Sequence, residues 1–105
     1  MIKAIDHNPN NFYFYRELGF SYRYLGNIEE AETTYTKGIE ISDDDFEKSE
    51  MAVNMANYYF LIKNRKKFEE WAKLTRKYST TERGYNHYID YFEKEWDNES
   101  LRKQN

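Results

Sequence analysis

Few side chains in this sequence are spaced for chemistry. His87, Asp90 and Glu93 recur every three residues, which on a helix brings potential metal ligands to one side. A metal site needs more convergent donors than that, and His87 reads better as a surface histidine. Asp43-Asp44-Asp45 has the charge of a calcium loop but lacks its glycine and terminal glutamate spacing; helix capping explains it more simply. There is no glycine-rich phosphate loop, no nucleophile elbow and no cysteine, so the expectation is a protein that is not an enzyme and takes no metal or cofactor. The sharper signal is Tyr13, Arg16, Phe20, Arg23 and Tyr24, whose spacing places them on one side of a helix, opposite Leu18 and Tyr22. Surface helices carry one apolar stripe and one polar face. Here the second stripe is aromatic and arginine-bearing, the composition of interface hot spots, where rings give contact area and guanidinium groups pair with carboxylates. The plainer reading is that another part of the chain, or its continuation, covers these rings.

Charge is segregated as well. Residues 63–83 hold eight cations against three carboxylates, and residues 28–50 hold nine carboxylates against Lys37 and Lys48. Such runs are usually solvated helix faces, and the overall net charge of -3 argues against nucleic acid as a partner.

The elements that position these residues are helical. The chain of 105 residues suits one domain, and its apolar fraction is lopsided toward rings, with 11 Tyr, 7 Phe and 2 Trp. One proline and four glycines leave too little turn chemistry for an all-β sandwich. No run approaches the roughly 18 apolar residues of a membrane span and no signal-peptide core opens the chain, so no membrane is expected and a cytoplasmic setting is favoured. Helical periodicity predicts helices over about 12–25, 28–41, 45–62, 65–78 and 80–98. Asn27 with Glu30, Asp44 with Glu47 and Ser79 with Glu82 read as capping boxes, and Asn64 as a cap. Lys3-Ala4-Ile5 is echoed 34 residues on by Lys37-Gly38-Ile39, and Leu18-Gly19-x-x-Tyr22 is echoed 37 on by Met55-Ala56-x-x-Tyr59.

The series Tyr15-x-x-Leu18-Gly19-x-x-Tyr22-x-x-x-Gly26-x-x-x-x-Ala31-x-x-x-Tyr35-x-x-Gly38, with Pro9 ahead of it, resembles the tetratricopeptide repeat, a 34-residue helix–turn–helix unit. The resemblance implies an all-α fold, an α-α superhelix of five helices including a C-terminal capping helix. It divides the single domain 1–105 into a remnant of a preceding repeat or N-terminal half-unit (1–9), a first repeat (10–43), a degenerate second repeat (44–79), the capping helix (80–98) and a polar tail (99–105). In the second unit Phe68 stands where a small residue is usual and Ala72 where a ring is usual, which reads as a large-for-small exchange. Met1–Pro9 reads as the end of a second helix, so the expectation is a piece of a longer array or a half-unit covered by another subunit. In the family, the inner side of each first helix lines a concave groove that receives peptides. Carried over by position, the groove residues are Tyr13, Arg16, Phe20, Arg23 and Tyr24, joined by Glu50, Val53, Asn54, Asn57 and Phe60. The carboxylate clamp of some members is not expected, because Phe20 replaces its first asparagine. The function implied is a non-catalytic module for protein–protein interaction; the alternative is a structural or self-assembling segment, or the sensing part of a larger regulator. A homo-oligomer is the other partner expectation.

Overall fold

The computed structural model describes residues 12–80 and 83–104, with side chains through residue 99. Met1–Pro9, Glu82 and Asn105 fall outside the described residues, and with them the half-unit and the Ser79/Glu82 box. Among the described residues there are five α-helices and no strand: α1 (Phe12–Tyr24), α2 (Ile28–Ile41), α3 (Asp45–Leu61), α4 (Arg65–Lys77) and α5 (Asn86–Gln104). The first four follow the periodicity to within a residue at each end. α1 pairs with α2 and α3 with α4, and α2 packs on α3.

Both hairpins close with the same backbone motif, 37 residues apart. Asn27 N–H donates to Tyr22 C=O at 2.8 Å and Gly26 N–H to Arg23 C=O at 3.1 Å; Asn64 N–H donates to Tyr59 C=O at 2.9 Å and Lys63 N–H to Phe60 C=O at 3.1 Å. This is the six-to-one and five-to-two pairing of a Schellman cap, which needs a left-handed residue at its fifth position. Gly26 (φ 86°) supplies it in the first turn and Lys63 (φ 64°) in the second. The caps that follow differ. Asn64 Oδ1 accepts from Lys67 N–H at 3.1 Å, and Asp44 Oδ1 from Phe46 N–H at 2.9 Å. The side chain of Asn27 makes no cap bond, contrary to the capping-box expectation. Nor does Glu47 close a box on Asp44. It accepts instead from Ser42 Oγ at 2.8 Å, and Ser42 Oγ takes the Asp44 N–H at 3.1 Å.

Close approach in the first hairpin rests on glycine. A Cβ on Gly19 would sit 2.7 Å from the Tyr35 ring, and one on Gly38 would sit 2.6 Å from Met51 Sδ and 2.8 Å from Tyr15 Cβ. Ala31, Tyr35 and Met51 are fully buried around them. Leu25, the last residue of the helix read from sequence, is exposed, because α1 stops at Tyr24 and the chain leaves the helix direction there. A polar knot ties the next layer. The Glu32 carboxylate of α2 accepts from the Tyr59 hydroxyl at 2.5 Å and Trp71 Nε1 at 3.2 Å, and pairs with Lys67 Nζ at 3.3 Å. Burial alone would raise the pKa of Glu32, but these three donors outweigh it and hold the carboxyl below its usual range.

α5 starts later and runs further than the 80–98 read from sequence. Thr80 N–H donates to Arg83 C=O at 2.7 Å, Gly84 turns at φ 121°, and Ser79 Oγ accepts from Tyr85 N–H at 3.1 Å. These contacts delay the helix to Asn86. Ile89, Phe92 and Trp96 are buried, and Phe92 stacks on Phe60 at 4.5 Å while Phe68 meets Phe92 and Trp96 edge-on at 6.1 Å. Phe68 and Ala72 are both buried, and the ring at 68 is what meets α5.

Candidate functional site

Three helices form one face of the stack. α1 touches α3 and α3 touches α5, whereas the backbones of α2 and α4 do not come within 8 Å of each other and are bridged by side chains. Two adjoining hollows lie on the face of α1, α3 and α5. Another hollow lies on the opposite side, between α2 and α4. Of the two adjoining ones, each draws on α3. The smaller is lined by Arg16, Glu17, Phe20, Tyr35, Glu50 and Asn54. The larger, about 590 Å³, is lined from α3 by Glu50, Val53, Asn54 and Asn57 and from the α5 end by Tyr85, His87, Tyr88, Tyr91 and Phe92.

Of the residues carried over from the resemblance, Arg16, Phe20, Glu50, Val53, Asn54 and Asn57 line these hollows. Tyr13 (54% exposed), Phe20 (49%) and Tyr24 (81%) lie at the surface, with the Phe20 and Tyr24 rings stacked at 6.5 Å. Arg23 is half-buried. Phe60 departs from the expectation: its ring packs against Phe92 and Trp96, so α5 takes the surface it would have offered. Arg16 is engaged as well. Its guanidinium lies 3.3 Å from Glu17, 3.5 Å from Glu50 and 4.9 Å from the Tyr13 ring centroid.

The floor of the smaller hollow is Tyr35. Its ring is fully buried under Gly19, and among the described residues its hydroxyl finds no hydrogen-bond partner. Burial pushes its pKa far up, so the group stays a neutral hydroxyl able to donate or accept. Tyr85, in the larger hollow, is also raised, by burial first and then by the nearby Glu50 carboxylate.

Sequence reasoning missed the contribution of α5. Tyr88 (47% exposed) and Tyr91 (56%) line the larger hollow, although the spacing of Tyr85, Tyr88, Ile89 and Phe92 alone would put Tyr88 in the buried stripe. The signal was present: α5 has more rings than one apolar stripe holds, as α1 has. The other candidates are absorbed by structure. Asp90 and Glu93 both accept from Arg76, at 2.8 and 2.9 Å, and the His87 ring lies 4.3 Å from that of Tyr88. Much of the basic run is spent inside the chain: Lys63 pairs with Glu99, Arg65 with Glu69 and Asp97, and Lys67 with Glu32 and Glu70. Among the described residues no helix is long and apolar enough to cross a membrane.

No curated protein and no solved structure matches the chain. A family model described as "Tetratricopeptide repeat" matches residues 2–33, a span that begins ten residues ahead of α1 and ends inside α2. Over that span the chain is similar to a tetratricopeptide repeat, with small residues at 19 and 31 in a helix pair whose turn recurs 37 residues on.

Proposed function

We propose that the face formed by α1, α3 and α5 receives a peptide or protein segment, and that binding, not catalysis, is the job of this chain. Tetratricopeptide repeats generally mediate protein–protein interaction. The observation that carries the finer reading is that the rings of Phe20, Tyr24, Tyr88 and Tyr91 stay at the surface of a stack whose core is already filled by other aromatics. Exposed aromatic surface beside buried polar groups is the composition of an interface centre. Phe20 and Tyr24 supply contact area at one end of the face, Tyr88 and Tyr91 at the other, and Asn54 and Asn57 lie between them as hydrogen-bonding groups for a backbone or side chain.

Affinity capture with the intact chain and with the Phe20→Ala/Tyr24→Ala double variant, side by side, tests this. Both rings are exposed, so the variant keeps its helical circular dichroism and loses the captured partner. Equal capture by the two proteins overturns the assignment of this face. A mass that rises with concentration for the intact chain but not for the variant would instead make a second copy the occupant.

A further inference from the structure

The larger hollow has a chemistry of its own, and we infer that it seats a cationic side chain, so that an arginine or lysine anchors the docking segment. The inference rests on the groove reading above and specifies its partner.

Among the described residues no lysine or arginine lines this hollow, although His87 does. The rings of Tyr85 and Tyr88 stack at 5.8 Å, Tyr91 stands one turn further along α5, and each ring face carries the negative charge of its quadrupole. Opposite them, Glu50 presents a carboxylate whose ion-pair contact with Arg16 is a long 3.5 Å. Asn54 donates from Nδ2 to the Glu50 carbonyl at 2.9 Å and keeps its Oδ1 as an acceptor, and Asn57 lies about one turn on in the lining. Aromatic faces, a carboxylate and amide oxygens are the groups that bind an ammonium or guanidinium.

The competing occupants fit less well. A carboxylate entering here would meet Glu50, and the Arg16 guanidinium of the adjoining hollow is already shared by Glu17, Glu50 and the Tyr13 ring. A purely apolar side chain would take water from Glu50 and the two asparagines and return no hydrogen bond, which is costly. Arg16 thus shares its single positive charge between two carboxylates, which leaves the Arg16, Glu17 and Glu50 group net negative.

A random-sequence peptide library displayed on phage, panned on the intact chain and counter-screened on a Tyr88→Ser/Tyr91→Ser double variant, tests this. The expected result is enrichment of peptides with a fixed arginine or lysine whose replacement by norleucine weakens binding roughly tenfold. Asn57→Asp then tightens binding of the enriched peptide severalfold, and Asn57→Lys weakens it by at least as much. Peptides anchored by aspartate, glutamate or an apolar side chain alone, or arginine peptides indifferent to charge at position 57, overturn the cation seat and leave the groove standing. Failure to enrich any peptide over the double variant overturns both.

Discussion

Gly38→Ala is the substitution in which two opposing effects separate most cleanly. Gly38 lies inside α2, where replacing glycine by alanine gains about 1 kcal/mol of helix propensity. Against that, the new methyl would lie 2.6 Å from Met51 Sδ, 3.2 Å from Met51 Cε and 2.8 Å from Tyr15 Cβ. Met51 is flexible but wholly enclosed, and Tyr15 Cβ moves only if α1 moves with it. Overpacking of this kind costs about 1–3 kcal/mol, and relieving two contacts at once belongs at the upper end. The net expectation is a loss of about 1–2 kcal/mol, or roughly 4–8 °C in Tm for a domain of this size. Thr36→Ala, exposed on the same helix, is the control: it has the propensity gain without the clash and should raise Tm by a degree or two. Thermal unfolding followed by circular dichroism measures all three proteins. If Gly38→Ala melts at or above the parent, the claim that a missing side chain lets α1, α2 and α3 meet is wrong.

Two further predictions concern the turns and the polar knot. Gly26→Ala meets no atom within 4 Å, so its cost is the left-handed backbone alone, about 1 kcal/mol in urea unfolding, and a neutral result would refute the turn assignment. Lys63→Gly relieves a similar strain but gives up the exposed pair with Glu99, worth up to about 1 kcal/mol, so its stability should stay near that of the parent. Glu32→Gln weakens three contacts and should cost about 1–2 kcal/mol at neutral pH. Because the folded pKa of Glu32 is depressed, its contribution is complete above the unfolded value of about 4.3 and is lost as pH falls through the folded value. The variant's stability should therefore fall less steeply below about pH 5, and parallel acid-unfolding curves would contradict this.

Much of the fold is legible in the order of residues, for physical reasons that particular positions show. Gly19 and Gly38 announce close packing because a Cβ at either would collide with Tyr35 or Met51, and Ala31 is fully buried beside them. Gly26-Asn27 announces a turn that Lys63-Asn64 copies without glycine, since hydrogen bonds around the second site fix the same backbone. The late start of α5 was not legible, because Ser79 makes its bonds to Thr75 and Tyr85 through loop closure rather than as a cap. Periodicity places a ring on a side of its own helix and is silent on which neighbour arrives there. That is why Phe60, placed on the groove side by position, packs its ring against Phe92, while Tyr88, in register with the buried Ile89 and Phe92, stays exposed. The state of Arg16 was equally hidden: Glu50 is far off in sequence and becomes its neighbour only when α3 lies beside α1.

The most direct measurement of the central claim is chemical-shift mapping of the isotope-labelled chain as a captured peptide is added. The account predicts saturable changes at Phe20, Asn54, Asn57, Tyr88 and Tyr91, spread over α1, α3 and α5. Changes confined to the opposite side, at residues such as Thr36, Lys37 and Leu74 between α2 and α4, would contradict it.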